Sequence, residues 1–341
     1  MSLIEIDGVT VEYQTERGAL QAVENVDLSL EEGKVLGIVG ESGCGKTTLA
    51  KALLQILPEN GAISEGEISY KGRDLTSMDR NELNQSIRWT EISWIAQNAM
   101  NALDPVKRID SLFREVISTH TDMGKAAADE RTEELFKMVG LDPSRMRDYS
   151  HELSGGQRQR VVIALALIFE PDLIIADEPT TGLDVVVQDS ILETITEIQD
   201  EINSTMVFIT HDISVIAEVA DEVAVMYAGR IIEHGSAHEV LNNPTHPYAI
   251  GLMNAFPDID DTNEKLVTIP GSPPDPTEKS QGCDFINRCP FSRRRCQEPI
   301  ADTQTTSTHR VKCHRHEHMG EFQEEGKKPE TWESLSPTEV N

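Results

Sequence analysis

One short stretch limits what this chain can fold into more than any other. Residues 40–48 read Gly-Glu-Ser-Gly-Cys-Gly-Lys-Thr-Thr and fit the pattern G-x-x-x-x-G-K-[ST]. The apolar run Val35–Val39 before this stretch predicts a buried strand, and apolar residues at helical spacing from Thr48 to Leu57 predict a helix after it. Strand, glycine-rich turn and helix in this order bring successive N–H groups to the positive end of the helix, where they can bind phosphate. The sequence therefore predicts a phosphate-binding loop in an α/β fold.

The residues of this loop have distinct expected roles. Glycine lets the backbone turn tightly, so that the N–H groups point into one concavity. The Lys46 ammonium is expected to reach the β- and γ-phosphates of a nucleotide, and the Thr47 hydroxyl is expected to hold Mg²⁺. The loop residues predicted to bind the nucleotide are Gly40, Ser42, Gly43, Gly45, Lys46, Thr47 and Thr48.

The chain is strongly acidic. It carries 59 Asp and Glu residues against 30 Lys and Arg residues, a formal net charge of −29. This balance disfavours nucleic acid as a main partner, because the phosphate backbone is bound mostly by Lys and Arg. Two interpretations of the acidity stay open: adaptation to a salt-rich cytoplasm, where screening relieves the self-repulsion, or an ordinary acidic protein.

Length and apolar content set the broad class. A chain of 341 residues can bury a large core and is expected to form two units rather than one. It contains no apolar run of about 18 residues, and its first residues lack the basic and apolar regions of an export signal. We therefore expect a protein that is neither secreted nor membrane-spanning.

The regular elements change character along the chain. Alternating patterns in residues 3–6 and 26–30 predict short, half-buried strands near the N-terminus. From residue 106 to about residue 170 the pattern is helical with charged faces, which predicts a helical insertion in an α/β domain. The predicted helices of this insertion span residues 111–119, 126–139 and 157–169.

A pair of acids follows a second apolar run. Leu173-Ile174-Ile175-Ala176 reads as a buried parallel strand that ends at Asp177 and Glu178. In open α/β sheets, ligands bind at the carboxyl ends of the strands. Asp177 is therefore expected to hold Mg²⁺ through its water shell, and Glu178 to polarise an attacking water.

Other polar residues lie at strand or helix ends. Gln97 follows an apolar strand, and His211 follows another in a position suited to contact a γ-phosphate. Ser154 and the glycines after it can cap a helix while presenting N–H donors to an anion. Tyr13 has two open interpretations, stacking on a nucleobase or packing within a strand.

These motifs, in this order, resemble the ATP-binding subunit of an ABC transporter over roughly residues 3–255. The resemblance is carried by a Walker A motif at residues 40–48, a Q-loop glutamine at Gln97, an unmodified LSGGQ signature at residues 153–157, the Walker B aspartate Asp177, the catalytic glutamate Glu178, a D-loop at residues 181–184 and the switch histidine His211. It implies a P-loop NTPase fold over residues 1–255, with an antiparallel β subdomain and a helical subdomain at about residues 100–170.

The resemblance also assigns roles to the motif residues. The implied catalytic residues are Glu178, His211 and Gln97, and the implied Mg²⁺ residues are Thr47, Gln97 and Asp177. Beyond the phosphate loop, the implied nucleotide-binding residues are Tyr13, Ser154, Gly155, Gly156, Gln157, Asp177 and Asp184.

Members of that family work in assemblies. Two ATPase subunits, identical or homologous, pair head to tail, so that each ATP lies between the Walker A motif of one and the signature of the other. The resemblance therefore implies a second ATPase subunit, two transmembrane permease subunits and an extracellular solute-binding protein that acts through the permeases. It places the chain at the cytoplasmic face of the cell membrane.

The C-terminal part narrows the family branch. His246-Pro247-Tyr248 and the proline-rich stretch at residues 269–274 resemble the C-terminal extension of oligopeptide and dipeptide importers, here residues 256–318. Its four cysteines, Cys283, Cys289, Cys296 and Cys313, resemble that branch's cysteine pattern and predict a small metal-binding module. A [4Fe-4S] cluster is the preferred interpretation. The alternatives are zinc, with His309, His314, His316 and His318 nearby, and free or paired thiols.

The remaining expectations concern the tail and the function. Residues 319–341 are expected to form a disordered tail. The main functional hypothesis is an energy-coupling ATPase of a peptide importer, and the alternatives within transport are a sugar or nickel as solute. A soluble ABC ATPase outside transport is less favoured, because the chain has neither a long coiled coil between its motifs nor a second ATP domain. A redox or iron sensor in the cysteine segment is a further hypothesis.

Overall fold

Two compact units contain the regular elements of the chain. The computed structural model describes residues 2–16, 18–98, 103–255, 266–277 and 281–333. The first unit comprises residues 1–3, 30–35 and 70–209, and the second comprises residues 4–29, 36–69 and 210–341. The phosphate loop belongs to the second unit, whereas Gln97, the signature and the two acids after the apolar strand belong to the first.

Three strands near the N-terminus form one sheet of the second unit. They are β1 (Ser2–Thr15), β2 (Gly18–Glu31) and β4 (Gly61–Tyr70), in the order β2-β1-β4. The sequence predicted short strands here, and both β1 and β2 are 14 residues long. The strands are longer than predicted because apolar residues continue to reach the core well beyond residue 6, as at Val9, Val11 and Val23.

The second sheet of this unit contains the strand before the phosphate loop. The strands are β3 (Val35–Val39), β9 (Glu222–Tyr227), β10 (Arg230–Ser236), β11 (Thr303–Gln304) and β12 (Arg310–Val311). Their order in the sheet is β11-β12-β10-β9-β3. Strands β3 and β9 are parallel, while β9, β10, β12 and β11 pair antiparallel in turn.

The cysteine-bearing segment is therefore not the separate module that the sequence suggested. Its strand β12 pairs directly with β10, with Glu233 opposite Val311 and His234 opposite Arg310. Val311 is fully buried. The segment is too short and too poor in apolar residues to build a core of its own, so it extends a sheet that already exists.

The helices of the second unit flank these strands. They are α1 (Lys46–Leu53), α7 (Ile213–Val219), α8 (Ala237–Asn242), α9 (Pro247–Met253), α10 (Met319–Gly326) and α11 (Pro329–Glu333). The last two correct the prediction of a disordered tail from residue 319. Phe322 and Trp332 are almost fully buried, and the indole N–H of Trp332 donates to the Gly326 carbonyl at 2.9 Å. Two aromatic anchors outweigh the charged composition here, and residues 334–341 lie outside the described residues.

A parallel set of strands forms the centre of the first unit. The strands are β6 (Ile92–Ile95), β7 (Leu173–Asp177) and β8 (Thr205–Thr210), and β7 lies between the other two. All residues of β7 and β8 are buried, as expected for strands covered on both faces. The short strand β5 (Arg73–Asp74) and helix α2 (Arg80–Ser86) precede β6.

The predicted helical insertion is present in the first unit. It contains α3 (Ile109–His120), α4 (Lys125–Met138) and α5 (Gly155–Ala166), and α6 (Val185–Ile202) follows β7. Helix α5 begins two residues earlier than predicted, because Ser154 caps it. Across the described ranges, no helix has the length and apolar character needed to cross a bilayer.

Candidate nucleotide-binding site

The phosphate loop connects β3 to α1, and two of its glycines are required by close backbone contacts. A Cβ atom on Gly40 would lie 2.2 Å from the Met226 carbonyl oxygen. A Cβ atom on Gly45 would lie 2.4 Å from the Ala22 carbonyl oxygen. Because both neighbours are backbone atoms that cannot rotate away, a larger residue at either position would displace the loop.

The lysine of the loop is held by the loop itself. Lys46 is the first residue of α1 and is 5% exposed. Its ammonium donates to the carbonyl of Gly40 at 2.7 Å and to that of Glu41 at 2.9 Å. Burial raises the pKa of the neighbouring Cys44 thiol, which therefore stays protonated near neutral pH. The position of the buried Lys46 ammonium thus depends on two carbonyl groups of the loop itself.

The predicted base-contacting tyrosine lies beside the start of α1. The hydroxyl groups of Tyr13 and Thr48 are 3.3 Å apart. A Cβ atom on Gly61 would lie 2.6 Å from a carbon of the Tyr13 ring, so the ring packs against a bare backbone. The other two loop residues differ in exposure, since Ser42 is exposed and Thr47 is half-buried. The structure brings Tyr13 to the loop, while packing in a strand accounts equally well for the ring's position.

A network that the sequence did not indicate surrounds Glu41, the second residue of the loop. Both Glu41 carboxylate oxygens accept hydrogen bonds from the Arg288 guanidinium, at 2.8 and 2.9 Å. The Glu41 backbone N–H donates to the Tyr248 hydroxyl oxygen at 2.9 Å. Arg288 also donates to the Pro270 carbonyl at 2.8 Å and to the Tyr227 hydroxyl oxygen at 3.2 Å. The only signal for this network in the sequence was the position of Glu41, because a carboxylate inside an anion-binding loop needs a compensating cation nearby.

The carboxylate group of the first unit lies where β7 ends. Asp177 is fully buried at the last position of the strand. The Glu178 carboxylate accepts hydrogen bonds from the Gln97 amide at 2.8 Å and from the Thr181 hydroxyl at 2.9 Å. Glu178 has a φ of +47°, and its backbone N–H donates to the Ile209 carbonyl at 2.8 Å. A left-handed glutamate is held here by its neighbours, a form of strain that is common at functional sites.

The signature forms the beginning of α5. The Ser154 hydroxyl oxygen accepts the Gln157 N–H, and the Gln157 side chain accepts the Ser154 N–H at 3.0 Å, which completes a capping box. Gly155 is the first residue of the helix. A Cβ atom on Gly156 would lie 2.6 Å from a methyl group of Val187 in α6, so this glycine lets the two helices approach closely.

The D-loop aspartate begins the next helix. The Asp184 carboxylate accepts the Val187 N–H at 3.1 Å and so caps α6. The next two side chains, Val185 and Val186, are 74% and 78% exposed. The signature and the D-loop therefore lie at the beginnings of two closely packed helices, α5 and α6. The side chains of Val185 and Val186, at the beginning of α6, are exposed to solvent.

The last predicted ATP-site residue, His211, directly follows β8 and belongs to the second unit. Its side chain is exposed, and Asp212 after it caps α7. Within each unit, the structure therefore brings together Tyr13 with the phosphate loop, Gln97 with Glu178, and the signature with the D-loop helix.

The four clustered cysteines converge. The side chains of Cys283, Cys289, Cys296 and Cys313 line one small cavity, together with that of His246. The Cys283 sulfur lies 4.0 Å from the nearer ring nitrogen of His246. Burial raises the pKa of Cys283 to about 12 and that of Cys313 to about 11. These thiols are therefore protonated at neutral pH unless a cation stabilises the thiolate form.

The histidines proposed as zinc ligands have other partners. His309 and Glu233 form a buried pair at 2.8 Å, while His314 and His316 lie 3.0 Å from the backbone carbonyls of Glu298 and Cys313. Within the described residues, no group of three or more His, Cys, Asp or Glu side chains is placed to hold a metal ion.

Comparison with known proteins places these features in a family. Residues 23–181 match the family model described as ABC transporter, and residues 232–296 match the model described as oligopeptide/dipeptide transporter, C-terminal region. The oligopeptide transport ATP-binding protein OppD of Haemophilus influenzae is 43% identical over 309 residues, which cover 90% of this chain and 94% of that protein. The dipeptide transport ATP-binding protein DppD of Lactococcus lactis is 44% identical over 293 residues, 85% of this chain and 84% of that protein.

Solved structures agree with the sequence comparisons. The ATP-binding cassette MJ0796, in a dimeric post-hydrolysis state with ADP and Pi, has a TM-score of 0.62 and 28% identity, covering 69% of this chain and 98% of that one. The cbiO1 protein of Clostridium perfringens, part of the ABC transporter complex cbiONQ, has a TM-score of 0.61 and 26% identity, covering 74% of this chain and 95% of that one. The resemblance inferred from the motifs is thereby confirmed, and this chain belongs to the ABC transporter family, among the ATP-binding proteins of its oligopeptide and dipeptide branch.

Proposed function

We propose that this chain is the ATP-hydrolysing, energy-coupling subunit of an importer for oligopeptides or dipeptides. The observation that carries the proposal is the Glu178 carboxylate, which two hydrogen-bond donors hold at the end of β7, directly after the buried Asp177. A carboxylate at this point of an open α/β sheet is suited to accept a proton from a water that attacks a phosphate. The relatives named above are oligopeptide and dipeptide transport proteins, which supports peptides as the solute.

The residues divide the work of hydrolysis. Lys46 and the N–H groups of its loop neutralise the phosphates of ATP, and the ring of Tyr13 contacts the base. Mg²⁺, when bound with ATP, would neutralise charge on the phosphates as a Lewis acid, and Thr47, Gln97 and Asp177 are the residues that would hold it. Glu178 orients and polarises the attacking water, while His211 contacts the γ-phosphate.

A second ATPase subunit completes the site. The N-terminus of α5 presents N–H groups and a positive helix end, which a partner chain's γ-phosphate can use. Val185 and Val186 expose apolar surface directly after the D-loop aspartate, as expected for residues that another chain covers. The dimeric form of the related MJ0796 cassette supports this pairing.

Contact with the permeases is assigned to the first unit. A concave surface there is lined by Asn84, Gln85, Arg88, Trp89, Thr119 and His120. Trp89 is 38% exposed, its ring centroid lies 6.4 Å from that of His120, and Arg88 lines the same surface, so the surface offers an aromatic anchor beside a cation. A cytoplasmic segment of a permease that carries an apolar side chain and an acid fits this chemistry.

Trp89→Ala tests this assignment in the complex with the permeases. We expect weaker copurification with the permeases and loss of peptide-stimulated ATP hydrolysis, because the anchor is removed. ATP binding by the full chain alone should remain, since Trp89 is not part of the nucleotide site. Undiminished copurification would contradict the assignment.

The cysteine segment is proposed to hold a [4Fe-4S] cluster. Four thiols that face one cavity supply the donor set of such a cluster, and high thiol pKa values are lowered when a cationic group binds. The cluster, when bound, would cross-link four points within residues 283–313.

Metal analysis tests the cluster directly. Full chain purified without oxygen should contain about four irons per chain, as expected for four-cysteine ligation. Cys289→Ser should lose this iron, while Cys44→Ser, a control in the remaining cysteine, should keep it. Protein with no iron would refute the cluster, and one zinc per chain would favour the alternative.

Uptake by the assembled transporter tests the main proposal. In vesicles that contain the permeases and the solute-binding protein, ATP should drive accumulation of a labelled peptide, and Glu178→Gln should abolish it. Glu193→Gln, an exposed position on α6, is the matched control and should transport normally. ATP-driven uptake of a sugar or of nickel without peptide uptake would contradict peptides as the solute but would leave the ATPase assignment unchanged.

A further inference from the structure

We infer that Arg288, in the cysteine-bearing segment, is a positioning residue that acts on the phosphate loop by compensating the charge of Glu41. The inference rests on the proposed role of this loop in ATP binding. Arg288 lies 247 positions along the chain from Glu41 and immediately precedes the predicted cluster ligand Cys289. One short segment therefore carries both a cluster ligand and the counter-charge of the ATP site.

In the Arg288–Glu41 pair, the arginine is the residue that is held in place by other contacts. The Arg288 side chain is 7% exposed, while that of Glu41 is 26% exposed. Hydrogen bonds to the Pro270 carbonyl and the Tyr227 hydroxyl oxygen hold the guanidinium, and its centre lies 5.7 Å from the ring centroids of Tyr227 and Phe285. A buried guanidinium with these additional contacts keeps one orientation, so it sets the position of the carboxylate rather than following it.

The pair also controls the loop's cation. The Glu41 carbonyl and the Gly40 carbonyl accept hydrogen bonds from the Lys46 ammonium, so the residue whose carboxylate Arg288 binds also holds Lys46 through its carbonyl. Tyr248 anchors the same residue through its backbone N–H. The charge balance at Glu41 is therefore set directly beside the lysine that binds the phosphates.

The charges of Arg288 and Glu41 predict the direction in which ATP affinity changes when either one is removed. ATP is strongly negative, and a carboxylate in its binding loop repels it unless a cation compensates. Removing Arg288 leaves the Glu41 charge uncompensated, which weakens ATP binding. Removing the Glu41 charge instead leaves Arg288 as an extra cation near the loop, which strengthens ATP binding. A purely structural pair predicts the same sign for both changes, because either one removes the same contact.

The experiment measures Mg-ATP affinity and hydrolysis kinetics for the full chain and three variants. Arg288→Gln should raise the dissociation constant and the KM for ATP about tenfold, with a much smaller change in kcat. Glu41→Gln should lower the dissociation constant by about threefold, and the double variant should lie near the wild type. The Arg288→Gln effect should shrink as KCl increases, because salt screens the partly exposed Glu41 charge.

Three controls separate the causes. Arg114→Gln removes an arginine that pairs with Asp110 and Asp129 in the first unit, and it should leave ATP affinity unchanged. Iron content and the melting temperature report whether Arg288→Gln disturbs the cysteine segment or the fold. Lys46→Ala should abolish ATP binding, and if it does not, the proposed role of the loop fails.

The result that overturns the inference is specific. If Lys46→Ala abolishes ATP binding while Arg288→Gln and Glu41→Gln both leave the dissociation constant unchanged, or both raise it, Arg288 does not act through the charge of Glu41. Should Arg288→Gln fail to fold, the sign of the Glu41→Gln effect alone decides, because tighter binding supports the inference and weaker binding contradicts it.

Discussion

The phosphate loop and the cysteine-bearing segment lie in the same unit but depend on the sequence in different ways. The loop carries its motif in nine consecutive residues, in which one lysine is buried and two glycines lie against the Met226 and Ala22 carbonyls. The cysteine segment takes its structure from residues far away in sequence, through the β10–β12 pairing, the buried Glu233–His309 pair and the Arg288–Glu41 bridge. A local motif can be recognised in isolation, whereas a segment built on distant contacts cannot.

The largest expected effect concerns the local side of this comparison. Gly40→Ala should reduce Mg-ATP affinity at least about 100-fold, because its Cβ atom would lie 2.2 Å from a carbonyl oxygen that cannot move away. Equilibrium binding of a labelled nucleotide measures the loss. Gly72→Ala is the matched control, since its φ is also positive but no atom lies within 4 Å of the added Cβ. If both variants bind ATP normally, close backbone contact does not determine the loop.

The next largest effect concerns the C-terminal residues, whose structure depends on contacts with residues distant in sequence. Trp332→Ala should lower the free energy of unfolding by about 3–5 kcal/mol, because it empties a buried site that α9 and α10 help to form. Urea denaturation measures the change. Glu321→Ala, at an exposed position of α10, should change it by less than about 0.5 kcal/mol. Equal effects would mean that the residues after 318 do not pack as described.

The smallest effect concerns the connection between α8 and the β11–β12 turn. Hydrogen bonds from Thr306, Thr308 and Ser236 lower the pKa of Glu239 to about 2 from a usual value of 4.5. A carboxyl group with a lowered folded-state pKa stabilises the fold above its unfolded-state pKa, and this contribution is lost as the pH falls through the folded-state value.

The stability difference between wild type and Glu239→Gln should therefore be largest above about pH 4.5 and shrink steadily towards pH 2. Urea midpoints over this range measure it. Because Glu239 is partly exposed, the difference should be small and reduced by salt. A difference that does not change with pH would show that the carboxylate charge is not what holds the turn.

Much of the fold and of each motif could be predicted from the sequence. Periodicity predicted β3, β7 and β8 closely, because buried parallel strands are continuous apolar runs, and it located the helices of the insertion to within a few residues. The Ser154 cap was also predictable, since a capping box is a local pattern.

The rest depended on contacts that no local pattern carries. The hydrogen bond between Gln97 and Glu178 joins residues 81 positions apart, and Arg288 reaches Glu41 across 247 positions. The tail was predicted wrongly because its charged composition concealed Phe322 and Trp332, which find partners only in the folded chain. Composition describes the average of a segment, whereas two well-placed aromatic residues decide whether it packs.

The most direct test of the account is the oligomeric state of the Glu178→Gln full chain with and without Mg-ATP, measured by light scattering. The account predicts a chain that hydrolyses ATP at less than about one hundredth of the wild-type rate and that forms a stable dimer only when ATP is present. A variant that binds ATP yet stays monomeric, or that hydrolyses ATP at the wild-type rate, would contradict it.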